Sequence, residues 1–199
     1  QVLSSAASDV YKRQMKNMSK FNMQALAYHE GIPGHHMQIS IAQELENIPK
    51  FRLYGGFTVF NEGWALYSEA IPKELGFYTD PFSDFGRLAG ELYRACRLVV
   101  DTGIHAKKWS RERAIKYMNN NVPHSKNYNV RQIERYIVMP SQATAYKIGM
   151  IKIQELRELA ENSLGDRFDI RGFHDVVLKN GSVTMPILES NVKKWIKNQ

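Results

Sequence analysis

Cysteine is nearly absent. Cys96 stands alone among 199 residues, so no disulfide can close within the chain, and folding must rest on packing and on any metal its residues can hold. Long apolar runs are missing too. No stretch reaches the ~18 residues of a membrane-crossing helix, and no segment has the charged-then-apolar build of a secretory signal. Lys and Arg outnumber Asp and Glu by 27 to 20, a net charge of +7, yet no block of five like charges occurs. The densest basic groups are Lys107, Lys108, Arg111 and Arg113, then Lys193, Lys194 and Lys197. They are too thin to nominate nucleic acid as a partner. There is no Gly-x-Ser-x-Gly, no phosphate-binding loop of the Gly-x4-Gly-Lys type and no Gly-x-Gly-x-x-Gly opening a helix. Cys96 has no flanking His and reads as a small core residue rather than a nucleophile.

The remainder has an ordinary globular composition, 43% hydrophobic and 24% charged, at a length suited to one core with at most a small appended lobe. Residues 1–14 (QVLSSAASDVYKRQ) have neither helical nor strand periodicity and look like translated cloning sequence. They are expected to be a non-native or disordered leader, with the domain at 15–199.

From Ser19 onward, Pro, Gly and Asn divide a helical pattern into about seven pieces. One helix is expected over Asn22 to Asn47, interrupted at Pro33-Gly34. Phe51 to Phe60, aromatic and β-branched around Gly55-Gly56, is the best strand or hairpin candidate. A helix over Asn61 to Leu75 takes Asn61 as its N-cap. Another runs from Ser83 to Lys107 with an apolar stripe of Leu88, Leu92, Ala95, Val99 and Val100. Ser110 caps the next, and Asn129 caps one ending near Pro140. That proline opens a long helix stopped by Gly165, Asp169 caps its successor, and Pro186 opens the last. The expected fold class is all-α, mostly helical, with one short hairpin at most.

Chemistry concentrates in Tyr28-His29-Glu30-Gly31-Ile32-Pro33-Gly34-His35-His36-Met37-Gln38. Zinc hydrolases set two imidazoles on one helix face, with a Glu after the first that reaches a water polarised by the metal. The usual spacing is four. His29 and His35 are six apart, an offset of about 240° on an ideal helix, so a regular helix would not converge them. Pro33 removes a donor and Gly34 permits distortion, so a bulged or overwidened turn can bring His35 back toward His29. His36 shares a face with His29 but lies about 10.5 Å along the axis, and is the second choice.

His-Glu and His-His pairs arise by chance in helices, but three His and a Glu around Pro-Gly have no packing reason. A third ligand is offered by Glu62 in Asn61-Glu62-Gly63-Trp64-Ala65, unless it is simply a first-turn carboxylate facing the helix dipole. Glu69, seven residues later, is a candidate acceptor behind an imidazole. Arg97, Asp101 and His105 recur at four-residue steps. Asp101 can orient His105, and Arg97 can pair with Asp101 or bind a substrate carboxylate; a solvated face with ordinary ion pairs is the plain alternative. Tyr136 and Tyr146 offer phenols for an oxyanion, although a tyrosine is more often core. Trp64, Trp109 and Trp195 read as packing residues, and His124 and His174 as structural.

At these residues the sequence resembles the bacterial DUF885 family, whose members carry His-Glu-x-x-Pro-Gly-His-His followed by Glu-Gly-Trp-Ala. Here these are His29 to His36 and Glu62 to Ala65. The likeness continues in Val100 to His105, Pro140 to Gly149 and Phe168 to His174. The resemblance implies a helical zinc metallopeptidase-like domain forming the C-terminal catalytic part of a longer protein. Many relatives are exported or lipid-anchored, which implies an exported or periplasmic place.

Together these readings describe a zinc-dependent peptide hydrolase acting on a peptide substrate, with carboxypeptidase-like action within its range. His29, His35 and Glu62 hold one Zn2+ ion, Glu30 activates water, Tyr136 or Tyr146 stabilises the oxyanion, and Arg97 binds a peptide terminus. Glu69, Asp101 and His105 support from behind. The rivals are a metal-dependent amidase or esterase on non-peptide substrates, and a non-catalytic metal-stabilised scaffold whose basic surface binds an acidic partner. Imidazole and carboxylate also suit Mn, Co and Fe. No nucleic acid partner and no membrane span are expected, and oligomeric state stays open.

Overall fold

Polar caps start several of the helices. The computed structural model describes residues 19–46 and 48–199, and the leader expected over 1–14 lies outside them. The helices are α1 (Met23–Glu30), α2 (His35–Glu44), α3 (Lys50–Tyr54), α4 (Thr58–Ser68), α5 (Ile71–Glu74) and α6 (Pro81–Lys107). They continue as α7 (Arg111–Asn121), α8 (Lys126–Val138), α9 (Gln142–Leu164), α10 (Ile170–Leu178) and α11 (Met185–Lys197), with single 3-10 turns at Lys20–Asn22 and Gly165–Arg167. No strand occurs among the described residues, and none of their helices is long and apolar enough to cross a membrane. Asp80 caps α6 by accepting from the Phe82 and Ser83 N–H groups, Ser110 caps α7, Ser125 caps α8 and Asp169 caps α10.

Several boundaries differ from the sequence expectation. The hairpin candidate Phe51 to Phe60 is instead α3, a break at Gly55-Gly56 and the start of α4. Its aromatic character serves burial: Phe60 is wholly enclosed in the core. Asn61 lies inside α4, which begins at Thr58 because Ser182 Oγ, distant in sequence, accepts from the Phe57 N–H at 2.8 Å. The helix expected to reach Leu75 stops at Ser68 and is followed by the short α5. Asn129 does not cap α8; it is buried in the first turn and donates to Asn119 Oδ1.

Along α6 the expected apolar stripe is mostly on the wrong side. Leu88, Leu92 and Val99 are exposed, and the buried face is Gly86, Ala89, Tyr93, Cys96, Arg97, Val100 and Asp101. Both stripes have helical period, and the inward one is built of small and polar residues.

Two cores result. Phe60, Trp64 and Leu66 of α4 pack with the middle of α9, α10 and α11, while Tyr93, Cys96 and Val100 of α6 pack with α7 and α8. Helix α9 serves both, through Ala143 near its start and Met150 to Ala160 further on. It crosses α4 at glycine: a Cβ on Gly149 would lie 2.0 Å from the Val59 carbonyl oxygen, and one on Gly63 would lie 2.5 Å from Gly149 Cα. Backbone on both sides leaves nothing free to yield. Gly149→Ala is therefore expected to destabilise the chain by about 1–3 kcal/mol through overpacking. In a thermal melt this reads as a fall in Tm of about 2–12 °C, and an unchanged Tm would contradict the tight crossing.

Candidate metal centre

Helix α1 ends in His29 and Glu30, and α2 begins at His35. The residues between, Gly31 to Gly34, form a full break that includes a cis Ile32–Pro33 bond, rather than a widened turn within one helix. Gly34 is pressed against the end of α1, where a Cβ would sit 1.9 Å from the His29 carbonyl oxygen and 2.3 Å from that of Tyr28. No side chain fits there. Trp64 Nε1 donates to the Pro33 carbonyl at 2.9 Å and ties the break to α4, so this buried indole does more than pack. The chain thus turns back, and the rings of His29 and His35 come to 4.9 Å between centroids, nearly perpendicular. His36 points outward and is exposed.

Helix α4 brings Glu62 against both rings. Its Oε2 lies 3.3 Å from His35 Nε2 and 3.7 Å from His29 Nε2, and the three donor atoms all fall within 4.8 Å of one another. Tetrahedral zinc with ligand bonds of about 2.0–2.1 Å spaces its donors about 3.3 Å apart, so the set fits such an ion. Behind His29, buried Glu69 places Oε1 2.8 Å from Nδ1. That contact puts the ring proton on Nδ1 and leaves Nε2 free to ligate. Burial opposes a charged His29, but its contacts with Glu62 and Glu69 outweigh it and raise its pKa above the ordinary 6.5. Burial would raise the Glu62 carboxyl, yet His29, His35 and Tyr146 pull it far below the usual range.

Tyr146 of α9 stacks on His29 at 6.3 Å between ring centroids, and its hydroxyl accepts from Gln142 Nε2 at 3.2 Å. Tyr136 is not at the centre. It is not in the cavity lining but buried directly behind it, with its hydroxyl 2.8 Å from that of the lining residue Tyr93. The expected Asp101–His105 pair is also absent: the Asp101 carboxylate accepts from the Ser141 N–H at 3.1 and 3.2 Å, and His105 Nε2 lies 2.9 Å from the Tyr136 carbonyl. Ser141 has φ +69°, and the buried carboxylate anchors that left-handed turn at the start of α9. Asp101 and His105 thus stand away from the cluster of His29, His35 and Glu62. Arg97 does not pair with Asp101 and lines the cavity instead.

That cavity, about 660 Å³, has His29, Glu30, His35, Glu62 and Tyr146 at one end. Further along it reaches Arg94, Arg97, Tyr93, Tyr128 and His124. Of these, only Arg97 is a site candidate in the sequence; His124 reads there as structural, whereas the structure sets it in the cavity lining. Arg94 and Tyr93 share the helix face of Arg97 by three- and four-residue steps, a legible signal, whereas His124 and Tyr128 arrive through the packing of α7 and α8 on α6.

The family model described as a bacterial protein of unknown function (DUF885) matches residues 5–192. The chain is similar to a candidate lipoprotein from Colwellia psychrerythraea, with 50% identity over 90% of this chain and a TM-score of 0.88. A candidate lipoprotein of unknown function from Shewanella oneidensis matches with 25% identity over 92% of this chain and a TM-score of 0.83. The chain spans 31% and 33% of those two proteins, about a third of each. No curated protein matches it.

The donor geometry sets an expectation for metal uptake. With its pKa above 6.5, His29 is protonated in the metal-free chain at and below that pH, and an ion must displace the proton. Zinc affinity should therefore weaken as pH falls through that raised value, with a proton released on binding, as calorimetry in two buffers would show. Elemental analysis should find metal lost from His29→Ala, His35→Ala and Glu62→Ala but kept by His36→Ala, with Glu69→Gln about 10–100-fold weaker.

Proposed function

The chain belongs to the bacterial DUF885 family of unknown function, and we propose that it is a zinc-dependent hydrolase of peptide bonds, centred on His29, His35 and Glu62. The observation that carries this reading is the convergence of two imidazoles and a carboxylate at zinc-like spacing, with Glu30 lining the same cavity. A zinc ion held there would supply Lewis acidity toward a substrate carbonyl and toward water at neutral pH. Glu30 is the general base in this reading. It takes a proton from water as the new C–O bond forms and returns it to the amine nitrogen as the C–N bond breaks. Tyr146, next to His29 and Glu62, donates its hydroxyl to the oxygen that becomes negative. Glu69 keeps the His29 ring aimed and its proton on Nδ1. The lipoprotein designation of the two similar proteins supports an exported location.

Two variants test the assigned roles. Glu30→Gln should lower peptide cleavage by about 10²–10⁴-fold while holding its metal. Wild-type turnover in that variant would remove Glu30 from the mechanism. Tyr146→Phe should lose about 10²–10³-fold in kcat, the effect of removing one oxyanion donor. Tyr136→Phe, outside the cavity, should stay close to wild type.

A further inference from the structure

Away from the metal donors the cavity wall becomes cationic and phenolic. Arg97 carries its charge at only 6% exposure, and no Asp or Glu among the described residues lies within salt-bridge range of it. The groups it bonds or stacks on are neutral. Nη2 donates to the Gln142 amide oxygen at 2.9 Å, and the guanidinium carbon lies 4.3 Å from the ring centroid of Tyr146, 5.2 Å from Tyr136 and 5.5 Å from Tyr93. Phenol faces favour a cation, and the Tyr146 side chain, also in hydrogen-bond reach of Arg97, offers it a neutral oxygen and no counter-charge. Nε is buried with no acceptor among the described residues. Asp101, one turn along the same helix, is committed to the Ser141 N–H.

Arg94 stands beside it in the cavity wall. Its one carboxylate contact among the described residues is Glu69 Oε1 at 3.8 Å, an oxygen already engaged at 2.8 Å by His29, and its Nε is likewise buried without an acceptor. A buried guanidinium without a counter-charge is unfavourable unless something supplies one. Here the open side faces the cavity.

We propose that this wall is a carboxylate-binding subsite, in which Arg97, with Arg94 beside it, holds a carboxylate of the substrate next to the metal centre. Tyr146 touches both ends, stacking on His29 and lying under Arg97, so a carboxylate seated on Arg97 lies one ring from the metal donors. That closeness favours the free C-terminus of a peptide cleaved near its end, the other source being an Asp or Glu side chain. The subsite's role in substrate choice rests on the hydrolase reading; its affinity for a carboxylate does not.

Calorimetric titration of the full chain as Glu30→Gln, which leaves the ligand intact, tests this. The protein is used both as purified and after chelation, with N-acetyl-Ala-Ala as free acid, the same dipeptide as its amide, and N-acetyl-Ala-Glu-amide. A charge-assisted bidentate contact should make the free acid bind about tenfold or more tightly than its amide, before and after chelation, and adding Arg97→Gln should erase the difference. A preference for the Glu-containing amide alone would keep the subsite and assign it to an acidic side chain. Equal binding of acid and amide, no binding of any of the three, or an acid preference that vanishes on chelation but survives Arg97→Gln would overturn the proposal. The acid-amide comparison needs no Arg97 variant, so a folding defect in Arg97→Gln leaves it decisive. Acid preference without cleavage by the wild-type chain would sink the hydrolase reading alone; cleavage without acid preference would sink the subsite alone.

Discussion

Where α4 crosses α9, Gly63 and Gly149 bring two backbones so close that neither position has room for a methyl group. The residues flanking this crossing are Glu62 and Tyr146, one a metal donor in our reading and the other stacked on a second donor, His29. Their separation is therefore set by backbone contact, which is stiff, and not by side-chain packing, which relaxes. The remaining parts hang from that crossing. Trp64, on the next residue but one from Glu62, holds the Pro33 carbonyl and so places His29 and His35 relative to α4. At the start of α9, Asp101 and Ser141 fix where the helix begins, and with it the angle at which Tyr146 enters the cavity.

Charge divides the cavity into two halves. Near the histidines the carboxylates Glu62 and Glu69 dominate, and they hold a proton on His29 that a divalent cation would replace. Beyond Tyr146, Arg94 and Arg97 face the same space with little to balance them. A ligand that polarises its carbonyl at the first half and ends in a negative group at the second would match both fields at once. Such unpaired burial is destabilising in isolation, and the two apolar cores on either side of α9 supply the packing that tolerates it.

The His-Glu cluster is the most legible part of the sequence, because His, Glu, Pro and Gly in that order have no ordinary packing purpose. His29, Glu30, His35, Glu62 and Glu69 all face or back the same site, and Pro33-Gly34 marked the break that joins them. The all-helical class was legible as well. What escaped were choices made by distant contacts. Asn61 looked like a cap, but Ser182 starts α4 three residues earlier. Asp101 looked like a partner for His105, but it satisfies a backbone N–H forty residues on. The inner face of α6 was hidden by its composition: glycine, alanine, Arg97 and Asp101 go inward while Leu88 and Leu92 remain outside, so hydrophobicity pointed the wrong way. Between Tyr136 and Tyr146 no local signal decides; only the packing of α8 and α9 separates them.

The bond from Trp64 to Pro33 has an optical side. Trp64 is wholly shielded from solvent, whereas Trp109 and Trp195 are partly exposed, so the three indoles differ in environment. The excited state of an indole responds to what its N–H donates to, and here the acceptor belongs to the very turn that joins His29 to His35. The most shielded of the three indoles is therefore the one bonded to that turn. The chain carries its own reporter for any event that moves it.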